Sequence, residues 1–249
     1  MFERDRKSLS LYCFPCAGGS ANSFLRWRTS LPPWIRIRPV ELPGRGVKIR
    51  EPLLRDFDAV VENLTQELVR ESSDRCVFFG HSLGALIAYR CVYALRARRK
   101  GEPMALIAAC SAAPCRRRDE RLARLKTDED LIGELVRLNG TPPELFKSKE
   151  LLRLALDTLA ADFAVCSSFS FKKREKLSLD IVVLGGRDDM IEEDALSAWR
   201  EETLGQTALL MFAGGHFFFN ENENVFFARL ISELDRTSRA SCRCDCVNR

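Results

Sequence analysis

The chain has 249 residues, 46% of them hydrophobic, and a formal net charge of +4. That length and apolar content support one sizeable core, while 35 acidic residues set against 39 basic ones, with no aromatic-interleaved basic stripe, argue against a nucleic-acid partner. No run of about 18 apolar residues occurs, and the charged residues 1–7 carry no signal-peptide core. No membrane partner is therefore expected, and the ten cysteines read as thiols of a reducing, cytoplasmic compartment.

In chain order, Leu9-Ser10-Leu11-Tyr12-Cys13-Phe14 reads as a strand, followed by the loop Pro15-Cys16-Ala17-Gly18-Gly19-Ser20. The loop lacks the lysine of a P-loop and the third glycine of a dinucleotide fingerprint. A Gly-rich loop after an early strand suits instead a backbone N–H donor to an oxyanion, with Ala17 the preferred residue and Cys16 its neighbour. A second strand is predicted at 35–40 and a helix at 57–71. The apolar run Cys76-Val77-Phe78-Phe79 then enters Gly80-His81-Ser82-Leu83-Gly84, and a helix predicted at 83–98 leaves it. A serine between two glycines at such a strand-to-helix turn is a nucleophile candidate, and Leu83 N–H would be the other oxyanion donor. The pattern alone is common, so the base and acid decide.

A strand is predicted at 105–111. Residues 115–171 then interrupt the alternation with charged, helix-rich sequence. Leu131, Ile132, Leu135, Val136 and Leu138 keep a helical spacing, as do Leu151, Leu152, Ala155 and Leu159, so this insertion is expected to be a helical lid with apolar faces toward the serine. A strand at 180–185 ends in Gly185-Gly186-Arg187-Asp188-Asp189. Both aspartates are eligible as the acid; Asp188 is preferred because it lies one short turn past the strand, and Asp189 suits the cap of a helix predicted at 193–203. After a strand at 207–212 comes Gly214-Gly215-His216. The chain has two histidines, and His81, adjacent to Ser82 in sequence, points elsewhere, so His216 is the candidate base. A last helix is predicted at 222–234. Strands alternating with helices imply an α/β chain with a mostly parallel central sheet and helices on both faces. The expected organisation is one domain over 1–235 and a disordered Cys-rich tail over 236–249. Cys13, Cys76, Cys91 and Cys110 read as core thiols. Cys242, Cys244 and Cys246 lack the paired spacing of a zinc site, so no metal is expected.

Several segments together resemble the type II thioesterases, stand-alone enzymes that accompany nonribosomal peptide, polyketide and fatty acid synthases. They are Phe14-Pro15-Cys16-Ala17-Gly18-Gly19-Ser20, Glu41-Leu42-Pro43-Gly44-Arg45-Gly46, Phe79-Gly80-His81-Ser82-Leu83-Gly84-Ala85, Asn139-Gly140-Thr141-Pro142, Ala161-Asp162-Phe163, Gly185-Gly186-Arg187-Asp188 and Gly214-Gly215-His216-Phe217. They run in family order from about residue 9 to 232. The resemblance implies an α/β-hydrolase fold, a Ser82, Asp188, His216 triad, and hydrolysis of acyl groups from the phosphopantetheine arm of a carrier protein. The substrate brings the phosphopantetheine, so no cofactor of the enzyme's own is expected, and a monomer is. Where relatives often carry Pro and Arg before Ala-Asp-Phe, this chain has Asp157 and Ala160, and Cys16 stands where an aromatic or His is frequent.

The basic clusters Arg96, Arg98, Arg99, Lys100 and Arg116, Arg117, Arg118 read as solvated helix ends, with docking of an acidic carrier as the other reading. Three rival functions use the same pattern: a general carboxylesterase or lipase, an acyltransferase, and a non-catalytic acyl-binding protein.

Overall fold

Each of the six apolar runs forms a strand: β1 (Leu9–Phe14), β2 (Ile35–Pro39), β3 (Cys76–His81), β4 (Ala105–Ala109), β5 (Asp180–Gly186) and β6 (Thr207–Phe212). The computed structural model describes residues 7–71, 75–117, 122–125, 127–138 and 143–247. The Asn139-Gly140-Thr141-Pro142 match and Arg118 lie outside them. The strands make one sheet in the order β2-β1-β3-β4-β5-β6, every neighbouring pair parallel. The chain steps from β1 outward to β2, then returns to place β3 on the other side of β1. That reversal is a switch point, where open α/β sheets leave a crevice at the carboxyl ends of their strands.

The helices are α1 (Asn22–Leu25), α2 (Phe57–Glu71), α3 (Leu83–Ala97), α4 (Asp128–Leu138), α5 (Lys149–Ser168), α6 (Glu193–Ser197), α7 (Phe218–Glu221) and α8 (Glu223–Val247). In α2 the buried Phe57, Val60, Val61, Leu64 and Leu68 recur at the spacing of one helical face. Because strand side chains alternate, the sheet has two apolar layers. Tyr12, Phe14, Phe78, Leu106, Ile181 and Val183 pack with α2 and α3. Leu11, Cys13, Val77, Phe79 and Ile107 face Trp27 and the α8 residues Phe226, Phe227 and Leu230. Burying each of the larger side chains is worth about 1.5–3 kcal/mol, so both faces of the sheet must stay covered. Among the described residues, no helix is long and apolar enough to cross a membrane.

Three elements differ from expectation. Strand β4 stops at Ala109 rather than 111, because Cys110 turns left-handed with φ 47°. The helix expected at 193–203 is α6 followed by a 3-10 turn over Ala198–Glu202. Helix α8 runs to Val247, past the predicted end at 234 and through the stretch read as a tail. The side chains of Cys242, Cys244 and Cys246 lie outside the described residues.

The insertion between β4 and β5 holds α4 and α5. Leu131, Leu156, Leu159 and Phe163 form its own small core. Val136 and Leu151, which share the helical spacing of that face, are exposed.

Candidate active site

The sheet register lines up the loops that matter. Phe14 pairs with Gly80, His81 with Ala109, and Gly186 with Phe212, so the chain leaves every strand from β1 to β6 at one edge. Ser82 sits at the end of β3 with φ 55° and ψ −115°, and its N–H donates to the Ala109 carbonyl at 2.8 Å. Such a backbone is costly for a residue with a side chain. Both flanking glycines are forced by space. A Cβ on Gly80 would lie 2.4 Å from Ala85 Cα, and one on Gly84 would lie 2.2 Å from the Phe14 carbonyl oxygen. Close approach of α3 to β3 and β1 therefore lifts Ser82 above the sheet edge.

The aspartate that meets the His216 imidazole is the one after that preferred from sequence. Asp189 Oδ2 accepts the His216 Nδ1–H at 2.8 Å, with side chains 6% and 11% exposed respectively. Asp188, preferred from sequence, is exposed, and its Oδ2 accepts the Gly214 N–H at 3.3 Å. The Asp188 N–H donates to Gly214 O at 3.0 Å, and a Cβ on Gly186 would meet Gly215 O at 2.2 Å. Asp188 thus ties the loop after β5 to the loop after β6, and its neighbour is left facing the imidazole. Asp189 does not cap α6 either; the residue before that helix is Glu192. Burial alone would raise the Asp189 carboxyl, but hydrogen bonds from His216, the Cys110 thiol and the Met190 N–H hold it below the usual range. With Nδ1–H fixed on a carboxylate, His216 keeps Nε2 as its acceptor nitrogen.

His81 also takes part, away from Ser82. Its Nε2–H donates to the His216 carbonyl at 2.9 Å, which fixes the backbone of the candidate base. Burial, with His216 alongside, pushes the His81 imidazole down to about 3. The unfolded ring takes a proton near its ordinary 6.5 while the folded one stays neutral. Stability from this group is therefore complete above about 6.5 and lost as pH falls toward about 3, by about 1.4 kcal/mol per unit. Urea titrations at about pH 7 and about pH 5 should show this protein losing about 2 kcal/mol more than His81→Gln does. Equal losses would refute it; His216, the other histidine, is common to both proteins.

The loop after β1 is clamped from two sides. The Arg45 guanidinium forks onto Asp162 of α5, Nη1 to Oδ2 at 2.6 Å and Nη2 to Oδ1 at 2.7 Å, both residues being buried. Asp162 Oδ2 also accepts the Gly18 N–H at 2.7 Å, and Arg45 Nη1 donates to Gly19 O at 3.1 Å. Further along, Glu41 Oε1 accepts the Ala21 N–H at 3.1 Å. Neither clamp is visible as periodicity or local spacing. Co-occurrence of Pro-Gly-Arg and Ala-Asp-Phe was the available signal.

These loops and the insertion enclose a cavity of about 210 Å³ lined by Ser82, His216, Asp189, Ala17, Cys16 and Phe163, among others. Of the sequence candidates, Ser82, His216 and Ala17 meet there, Leu83 opens α3 beside Ser82, and Asp188 does not line it. As first residue of α3, Leu83 has an N–H without an intrahelical acceptor. The Cys16 thiol is pushed up to about 12 by burial and by the Asp162 charge, and burial likewise raises Cys110. Both are neutral walls beside the serine rather than rival nucleophiles. His81, Cys110 and His216 bring potential metal-ligand atoms within 4.8 Å of one another. Both imidazole N–H groups and the thiol, however, already donate to protein oxygens. On the surface, Arg96, Arg98 and Arg116 pair with Glu102, Glu62 and Glu201, which favours solvated helix ends for the basic clusters.

A family model described as a thioesterase domain matches residues 10–236. The gramicidin S biosynthesis protein GrsT of Aneurinibacillus migulanus is 34% identical over 230 residues, 91% of this chain and 89% of its own. Among solved structures, the type II thioesterase BorB from the borrelidin biosynthetic cluster superposes with a TM-score of 0.83 at 31% identity, covering 91% of this chain and 93% of BorB. ClbQ from the colibactin NRPS/PKS pathway gives 0.87 at 29% identity, covering 94% and 100%.

Proposed function

On the premise that this chain belongs to the thioesterase family, as a type II thioesterase and so a thioester-hydrolysing enzyme, we propose that it removes acyl groups from the phosphopantetheine arm of carrier proteins through Ser82, His216 and Asp189. The observation that carries this reading is the meeting of Ser82, Asp189 and His216 in one cavity, with Asp189 holding His216 Nδ1–H at 2.8 Å.

His216 Nε2 takes the Ser82 proton as the serine oxygen attacks the thioester carbonyl. Leu83 and Ala17 N–H groups receive the oxyanion. The C–S bond breaks, the thiolate leaves with the proton from His216, and an acyl-serine remains. Water, deprotonated by His216, then attacks the ester, and a carboxylic acid leaves as Ser82 recovers its proton. Asp189 stays ionised and stabilises the imidazolium formed in each step. The names of the relatives, tied to gramicidin S, borrelidin and colibactin, support carrier proteins of a synthase as partners and clearance of stalled or misprimed modules as the role. Buried thiols such as Cys13 and Cys91, which form no disulfide, fit a reducing cytoplasm.

The test compares one short acyl group as a carrier-bound thioester, as an oxygen ester, and as the thioester with amine and alcohol acceptors present. The carrier thioester should win in kcat/KM by at least about tenfold, the worth of about 1.4 kcal/mol of contact with the arm, and yield free acid. Preference for the oxygen ester, or acyl transfer in place of hydrolysis, would overturn the proposal.

A further inference from the structure

The clamp on the loop after β1 joins three segments distant in sequence: the loop itself, Arg45 beyond β2, and Asp162 in the insertion. A buried ion pair needs every polar atom matched to repay its desolvation, and apolar side chains would fill the same space. What an apolar pair could not do is hold the loop's peptides. Gly18 N–H is committed to Asp162, Gly19 O to Arg45, and Gly19 N–H to Cys16 O at 3.0 Å. Gly18 has φ +72°, and a Cβ there would come within 3.2 Å of Leu159 Cδ1 on α5. The peptide planes on the far side of Ala17 are thereby set, and Ala17 lines the cavity with Ser82.

We propose that Arg45 and Asp162 are positioning residues that aim the oxyanion-binding amide of Ala17, so that this donor is in place when α5 is seated on the loop. The inference rests on the reading of Ser82 as nucleophile and Ala17 as donor. Arg45 and Asp162 act through the loop and touch no reacting atom.

The experiment uses the full chain and an acyl-carrier thioester, with Asp162→Asn, Arg45→Lys and the apolar pair Arg45→Met/Asp162→Leu. Asparagine keeps the shape without the charge, and lysine keeps the charge without the fork. Each variant should lower kcat about tenfold to 100-fold with KM within about twofold, the scale of a misaimed donor. Affinity for an alkyl boronic acid, whose tetrahedral serine adduct puts an oxygen in the hole, should fall by the same factor. Saturating fluorophosphonate labelling should still count a full complement of Ser82 sites, so loss of folded protein is separated from loss of aim. The apolar pair is the deciding variant: a thermally stable protein with wild-type kcat would make the ion pair merely structural and overturn the inference. So would boronate affinity unchanged in all three variants. Ser82→Ala, measured alongside, isolates the premise: turnover by that variant would sink the catalytic reading itself.

Discussion

Ser82→Ala is expected to lower kcat for acyl-carrier thioesters by at least about 10⁴, with the fold intact, because loss of the attacking atom disables the serine–histidine unit as a whole. The fold should survive. The elbow is shaped by Gly80 and Gly84, which admit α3 against β3 and β1, and by the Ser82 N–H bond to Ala109 O. None of these uses the hydroxyl. Alanine accepts the φ of 55° no less readily than serine, so Tm should move little. The measurement is single-turnover hydrolysis of an acyl carrier, with circular dichroism as the fold control. Activity above a few per cent of the parent would exclude Ser82 as nucleophile. A folded protein that binds the acyl carrier without turnover even before substitution would point to a non-catalytic binding role.

The second expected result separates adjacent residues. Asp189→Asn should lower kcat by about 10³–10⁴, since an amide no longer enforces the Nδ1–H tautomer or stabilises the imidazolium. Asp188→Asn should cost less than about tenfold, because asparagine keeps an acceptor oxygen for the Gly214 N–H and the loop tie survives. Steady-state kinetics on both variants would reveal the ranking. Equal losses, or a larger loss at Asp188, would return the acid to the residue favoured by spacing.

That pair shows where the sequence was legible and where it was not. The six strands could be read because each is a short apolar run bounded by glycine, proline or charge, a local property. The elbow could be read because steric crowding demands glycine at 80 and 84. Which of two neighbouring aspartates faces His216 is not local. It follows from the bonds of Asp188 with Gly214, and the partner lies 26 residues on. The contact of Arg45 with Asp162 spans 117 residues, beyond any periodicity argument. His81 looked idle because its sequence neighbour was the only partner in view. Its acceptor, the His216 carbonyl, is 135 residues away. Cys110 looked like an ordinary core thiol until the loop carrying Asp189 closed over it.

The two halves of α5 are held very differently. The inner half carries Asp162 and ends where Ser168 Oγ accepts the Phe57 N–H at 2.8 Å and Phe169 meets the Phe57 ring at 4.9 Å. The outer half exposes Leu151 and Leu154. The inner half holds the loop beneath it through Asp162, while the outer turns of α5 turn Leu151 and Leu154 to solvent. The stretch that grips the loop and the stretch that meets solvent are thus different parts of one helix, so substitution at Leu151 or Leu154 removes none of the bonds between Arg45, Asp162 and the loop.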